Sequence, residues 1–200
     1  GPEQSGPFFV VRVEGDLPDM IHIPKAPLST AGALAAVLTL SACASVPPAT
    51  PDTIATATLV DSTGNPTGEA RLLAVGDQVE LSVVAEGLSP GEHGFHLHTT
   101  GRCTLPDFKS AGGHLNPTGE GHGLLDNDGH HLGDLPNLTA RANGTASTQV
   151  PIDGTPDYIL DEIFDADGTA VVIHGDADDG RTDPSGNAGP RVACGVLTRS

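Results

Sequence analysis

From residue 53 onward apolar and polar positions alternate with a period of two, the spacing that turns one face of an extended strand inward and the other outward. Thr53–Val60 (TIATATLV), Glu69–Val75 (EARLLAV) and Gln78–Glu86 (QVELSVVAE) are runs of this kind, separated by the turn chemistry of Asp61–Gly68 and of Val75-Gly76-Asp77. Gly94–His98 follows Ser89-Pro90-Gly91. Leu138–Ala142 and Thr145–Ile152 flank Asn143-Gly144, two residues that tolerate positive φ and so predict a hairpin. Ile159–Phe164, Ala170–His174 and Val192–Leu197 complete a series of eight or nine short strands with no internal repeat. The pattern predicts an all-β Greek-key sandwich or barrel. Thr99–Pro136 and Gly175–Pro190 show no strand pattern. Loops of that length inside a compact domain are usually functional, and something other than an apolar face must order them.

Composition narrows the picture. Gly 26, Pro 17 and only 3% aromatic residues argue against long helices and an aromatic-rich core, while 37% apolar residues suffice for a β-rich one. A length of 200 residues allows one domain of ordinary size with appendages. Acidic residues outnumber basic ones 26 to 9, a formal net charge of −17, which excludes a nucleic-acid partner because phosphate binding needs a basic face.

The N-terminal part carries targeting signals. Ala26–Ala42 is uncharged and largely apolar, Lys25 precedes it, and Leu40-Ser41-Ala42-Cys43 ends it with small residues before a cysteine. That quartet resembles the bacterial lipobox, in which the cysteine is lipidated and becomes the mature N-terminus. Met20 is the only methionine. Residues 1–19 therefore read as an extension, 20–42 as a lipoprotein signal peptide, 43–52 as a Pro-rich tether and 53–200 as the folded domain. The chain is expected outside the cytoplasm, in the cell envelope or periplasm, touching a membrane only through lipid on Cys43. In that oxidising setting Cys103 and Cys194 are expected to pair.

Eight of the nine histidines lie between His93 and His174. In a strand, His96 and His98 project to one face and Leu97 to the other, so both imidazoles can reach one metal ion. His114, His122, His131 and Asp134 follow in a Gly- and Asn-rich loop, and His174 stands at a strand end. Three imidazoles and a carboxylate make a closed zinc set, whereas four imidazoles suit Cu(II). His114 counts in both sets, since imidazole with both nitrogens deprotonated can bind a cation on each side.

Gly94-Phe95-His96-Leu97-His98, Ser110–Pro117 (SAGGHLNP), His131–Leu135 (HLGDL), Val172-Ile173-His174 and Gly186–Gly195 (GNAGPRVACG) resemble the copper/zinc superoxide dismutases of the exported bacterial kind. The resemblance implies an eight-stranded Greek-key β-barrel with two long metal-ordered loops. It implies one copper per subunit on His96, His98, His114 and His174, and one zinc on His114, His122, His131 and Asp134. Arg191 matches the family arginine beside copper, Asp178 the carboxylate linking the two metal sites, and Cys103 and Cys194 the family disulfide. The implied reaction is dismutation of superoxide to dioxygen and hydrogen peroxide in a Cu(II)/Cu(I) cycle, with His114 delivering a proton and Arg191 docking the anion. Its role would be antioxidant defence. Arg181 and Lys109 are candidates for steering superoxide inward, in loops with fewer basic groups than many relatives carry. His93 and His130 adjoin ligand positions without matching one and are expected to face solvent or support a ligand from behind. A non-catalytic copper/zinc-binding or buffering protein on the same fold is the alternative. Monomer and homodimer are both compatible with the sequence.

Overall fold

The computed structural model describes residues 51–126 and 129–200. The signal peptide, Cys43 and nearly all of the expected tether lie outside the described residues. Alternation builds an antiparallel meander from β1 (Asp52–Asp61), β2 (Pro66–Val75) and β3 (Gln78–Ala85). Leu59, Leu72 and Leu81 point inward and are fully buried. Beyond β3 lie β4 (Gly91–His93) and β5 (Phe95–His98), then β6 (Leu138–Ala140) and β7 (Ala146–Pro151). The last strands are β8 (Ala170–His174), β9 (Arg191–Val196) and β10 (Thr198–Arg199). The predicted hairpin is present between β6 and β7, with Gly144 at φ 78 inside its turn.

The hydrogen-bonded order is β4-β6-β7-β3-β2-β1-β9-β8-β5, with β10 paired to β1. β4 and β5 stand at opposite ends of this order yet are separated in sequence only by Gly94, so the sheet closes on itself. The ten segments amount to eight strands, two of them interrupted, at Gly94 and at Leu197. The pairings β3·β7 and β1·β9 bypass the next strand in sequence, as a Greek-key barrel requires.

One element differs from the sequence expectation. Ile159–Phe164 is not a strand; Pro156–Ile163 forms a helix, α1. Thr155 is its extended N-cap residue and Pro156 its first residue, where a missing N–H costs nothing. Ile159 and Ile163, one helical turn apart, are both fully buried against the barrel, while Asp161 and Glu162 face outward or partly so. The six-residue window holds both isoleucines but omits the Pro start signal that decides between the two periods.

The two long stretches contain no strand among the described residues, only a 3₁₀ turn at Lys109–Ala111. The first is held by backbone bonds to β5, Leu115 N donating to Leu97 O (2.8 Å) and Leu97 N to Gly133 O (3.0 Å), and the second is tied by Gly94 N donating to Asp176 O (2.8 Å). A Cβ on Gly133 would overlap Leu97 O, so only glycine permits this approach. Cys103 and Cys194 are disulfide-bonded with Cα atoms 5.7 Å apart, tying the first loop to β9.

Candidate metal centre

β5 turns Phe95 and Leu97 into the barrel core and His96 and His98 to the opposite face, where the two loops cover them completely. His174, at the end of β8, and His114, from the first loop, meet them there. One nitrogen of each ring of His96, His98, His114 and His174 lies within 4.8 Å of the others, and all four residues are buried. The opposite nitrogens are already engaged. Nε2 of His96 lies 2.6 Å from Asp178 Oδ2, Nδ1 of His98 3.0 Å from Gly112 O, and Nδ1 of His174 3.2 Å from Gly189 O. These partners set ring orientation and tautomer, leaving His96 Nδ1, His98 Nε2, His114 Nε2 and His174 Nε2 converging.

The second set lies on the far side of His114. Asp134 Oδ1 is 2.7, 3.0 and 3.1 Å from Nδ1 of His114, His122 and His131. Edges near 3 Å are close to the roughly 3.3 Å that zinc–ligand bonds of about 2 Å impose on a tetrahedron. Asp134 Oδ2 accepts backbone N–H groups from Gly123 (2.9 Å) and His131 (3.1 Å) and is thereby held in place. Two buried nitrogens, His96 Nδ1 and His114 Nε2, have no hydrogen-bond partner. Buried orphans of this kind are rare, and both belong to the four-nitrogen set, where a cation would satisfy them.

Asp178 spans the two sets, with Oδ2 on His96 Nε2 and Oδ1 3.0 Å from His122 Nε2. A Cβ on Gly186, at φ 61, would overlap Asp178 Oδ1. Burial disfavours the charge of Asp134 and Asp178, but imidazole hydrogen bonds outweigh it and hold both well below the usual carboxylate range. Burial opposes the charge of His122 as well, yet its bonds to Asp134 and Asp178 raise it to about 10. On the other side burial dominates, lowering His98 to about 2, His174 to about 3 and His114 to about 4.

Those depressed values make the metal-free protein acid-sensitive. Each of the three histidines stays neutral in the native state, while in the unfolded chain it gains a proton below about 6.5. Their stability contribution is thus present above that pH and lost as pH falls toward the folded values. His122 has the opposite sign: its contribution is present below about 6.5 and vanishes as pH rises through about 10. Between pH 7 and 6 the three neutral histidines together lose about 2 kcal/mol and His122 gives back about a third of that, a net loss of about 1.4 kcal/mol. The metal-free protein should melt several degrees lower at pH 6 than at pH 7; thermal denaturation at the two values checks this, and equal midpoints would contradict it.

Arg191 lies at the start of β9, with Nη1 donating to Phe108 O (2.7 Å) and Nη2 to Gly112 O (2.6 Å). The same Gly112 carbonyl holds His98. Arg191 lines a cleft of about 400 Å³ together with His98, His114, His174, Asn116 and Ser185. Lys109 is exposed, paired with Asp107 at 3.0 Å, and lines the adjoining pocket that shares Arg191. Arg181 is turned to the other loop, its Nη1 donating to Leu125 O (3.1 Å), and is absent from the cleft lining.

Two further side chains support the centre. His93 is buried, with Nδ1 2.7 Å from His174 O and Nε2 2.8 Å from Ser89 O, so it braces a ligand from behind. His130 is partly exposed and pairs with Asp153 at 3.2 Å. Asn137, which the sequence did not single out, pairs with the Asp178 backbone: Nδ2 donates to Asp178 O (2.8 Å) and Asp178 N to Oδ1 (2.9 Å). Nothing in a lone polar residue 41 positions away announces that role.

Comparison with known proteins agrees with this architecture. The family model for copper/zinc superoxide dismutase matches residues 66–197. Superoxide dismutase [Cu-Zn] 2 of Aquifex aeolicus is 42% identical over 149 residues, 73% of this chain and 87% of the relative. Superoxide dismutase [Cu-Zn] of Caulobacter vibrioides is 40% identical over 72% of this chain and 84% of its own length. Among solved structures, a SOD-like protein from Bacillus subtilis superposes with a TM-score of 0.67 at 36% identity, covering 74% of this chain and all of that one. Cu/Zn superoxide dismutase from Brucella abortus gives a TM-score of 0.58 at 28% identity over 72% of this chain and 98% of its own. With matching sequence, closed barrel and paired donor sets, the chain belongs to the copper/zinc superoxide dismutase family.

Proposed function

We propose that the chain dismutates superoxide to dioxygen and hydrogen peroxide, with His96, His98, His114 and His174 taking copper and His114, His122, His131 and Asp134 taking zinc. The observation that carries this reading is His114, whose two ring nitrogens face two different donor sets. Copper held by the four imidazoles would supply the one-electron change between Cu(II) and Cu(I), and zinc, which has no redox chemistry, would not. His114 holds a proton at Nε2 and delivers it to the reduced dioxygen, while Asp134 keeps Nδ1 oriented. Overall two superoxide anions and two protons yield one dioxygen and one hydrogen peroxide. Asp178 keeps His96 and His122 in register across the two sites. Arg191, fixed by two carbonyls, presents its remaining N–H groups to a small anion in the cleft.

How a protein of net charge −17 attracts an anion is a question of distance. Exposed charges are screened beyond about 8 Å at physiological salt, so distant carboxylates contribute little and nearby cations decide. Superoxide removal, measured with copper and zinc contents on the same sample and across an ionic-strength series, tests the reading. Arg191→Ala is expected to lower the rate constant most with copper still bound. Lys109→Ala and Arg181→Ala give smaller losses that fade as salt rises, Arg181→Ala the smallest because its guanidinium turns to Leu125 O. A wild-type rate that increases with salt would show that the global negative charge governs encounter instead. A metal-loaded protein that leaves superoxide untouched favours the buffering alternative.

Export and anchoring belong to the same proposal. The Leu40-Ser41-Ala42-Cys43 quartet and the Cys103–Cys194 disulfide both suit a lipoprotein of the cell envelope or periplasm. Mass spectrometry of membrane-processed protein is expected to find lipid on Cys43, and Cys43→Ser to stay unanchored. An unmodified Cys43 in the processed wild type overturns the anchor.

A further inference from the structure

We propose that Phe108 is a positioning residue for Arg191, setting the anion-docking guanidinium through its own backbone carbonyl; this rests on the docking role read for Arg191 above. Arg191 Nη1 donates to Phe108 O at 2.7 Å and Nη2 to Gly112 O at 2.6 Å, so both anchors belong to the loop between Cys103 and His114. The disulfide pins this loop at Cys103. Phe108 lies five positions after Cys103, a stretch of chain that can reach about 17 Å, so the disulfide alone leaves the carbonyl unplaced. A second pin is needed near the carbonyl itself.

Phe108 supplies it. The side chain is fully buried in a small cluster apart from the barrel core, with Ala111, Ala170, Val172 and Cys194 and with Val60 and Cys103 packed against it. That cluster joins the loop to β8 and to β9, the strand that carries Arg191. The backbone of Phe108 is left-handed, at φ 53 and ψ 18. A large side chain is disfavoured there, and its burial is what holds the residue in that conformation. The left-handed turn directs the carbonyl so that it accepts both Ala111 N (3.0 Å) and Arg191 Nη1. Phe108 N in turn donates to Thr104 O (3.0 Å), closing the turn from the other side. An apolar side chain thereby fixes a polar one through a backbone carbonyl.

The test uses copper- and zinc-loaded full-length chain with azide as a small-anion probe. Azide affinity is read from the copper absorption spectrum and the superoxide rate constant is measured alongside. Phe108→Ala is expected to keep both metals while weakening azide binding and lowering the rate constant by about tenfold, the scale of a misplaced positioning group. Phe108→Leu, which refills the cluster, restores most of both and keeps the inference testable if the alanine variant fails to fold. In an Arg191→Ala background, adding Phe108→Ala changes azide affinity no further, because the group through which it acts is gone. A folded Phe108→Ala protein with wild-type azide affinity overturns the inference while leaving the role of Arg191 intact. If Phe108→Leu is as impaired as Phe108→Ala, or if the two losses add in the double variant, the inference is likewise wrong. Unchanged azide binding in Arg191→Ala alone removes the docking role and this inference with it.

Discussion

His98→Ala is expected to lose superoxide dismutation almost entirely, by more than about a hundredfold, beyond the ten- to hundredfold usual for partners that only orient a ligand. The site makes this the cleanest of the four histidine substitutions. His96 also holds Asp178, and His114 also faces Asp134, so removing either disturbs both donor sets. His98 touches only one. Its Nδ1 is fixed by Gly112 O, which Arg191 Nη2 continues to satisfy when the imidazole is gone, so no carbonyl is orphaned. What is lost is a neutral donor nitrogen in a four-nitrogen set, leaving three. Because burial lowers His98 to about 2, deleting it also removes part of the acid sensitivity of the metal-free protein. The variant should therefore fold, keep zinc, lose less stability between pH 7 and 6 than wild type, and fail in catalysis. Superoxide decay with metal analysis measures the catalytic loss and the retained zinc, and melting curves at pH 7 and 6 measure folding and the smaller loss of stability. Wild-type rates in His98→Ala would end the copper assignment.

Much of this site was legible because its chemistry is local in sequence. His96 and His98 two apart on a strand, and His131 with Asp134 three apart in a loop, announce shared targets without knowledge of the fold. The strands were legible for the same reason, since alternation is a property of neighbouring residues. What stayed hidden depends on distant partners. Asn137 acts only because Asp178 is folded onto it, and His93 only because the β4–β5 break at Gly94 brings its ring under His174 O. Phe108 looks like any apolar residue in a polar loop until its carbonyl is seen to hold Arg191. α1 was missed for a different reason: Ile159, Leu160, Ile163 and Phe164 repeat at helical and not alternating spacing, but six residues are too few to separate the pattern from its strand neighbours, and Pro156, just upstream, carries the deciding information.

The last expectation concerns what orders residues 99–136, which offer no alternating face to the core. Two covalent or near-covalent ties carry that task, the Cys103–Cys194 bond and the donor set around Asp134. The disulfide closes a separation of 91 residues, and a chain-entropy treatment of a loop that long assigns it about 4 to 5 kcal/mol. Asp134 gathers Nδ1 of His114, His122 and His131 on one oxygen and the N–H groups of Gly123 and His131 on the other. Asp134→Ala strands two backbone N–H groups and leaves three ring nitrogens without their carboxylate in a buried site, and it removes one of the two carboxylates that raise His122, so the imidazolium there loses much of its support. Zinc would be lost with it, along with the stabilisation that a ligand binding only the native state provides. Each change alone, Asp134→Ala or reduction of the disulfide, is expected to lower the melting temperature by roughly 10 °C or more, taking about 2–4 °C per kcal/mol for a domain of this size. The two together should cost more than either, because the disulfide restrains the loop from its Cys103 end and Asp134 from the region of His114 and His131. Melting curves of wild type, Asp134→Ala, reduced protein and reduced Asp134→Ala decide the matter. If the reduced Asp134→Ala protein melts where the intact protein does, the long loop is ordered by something other than these two ties.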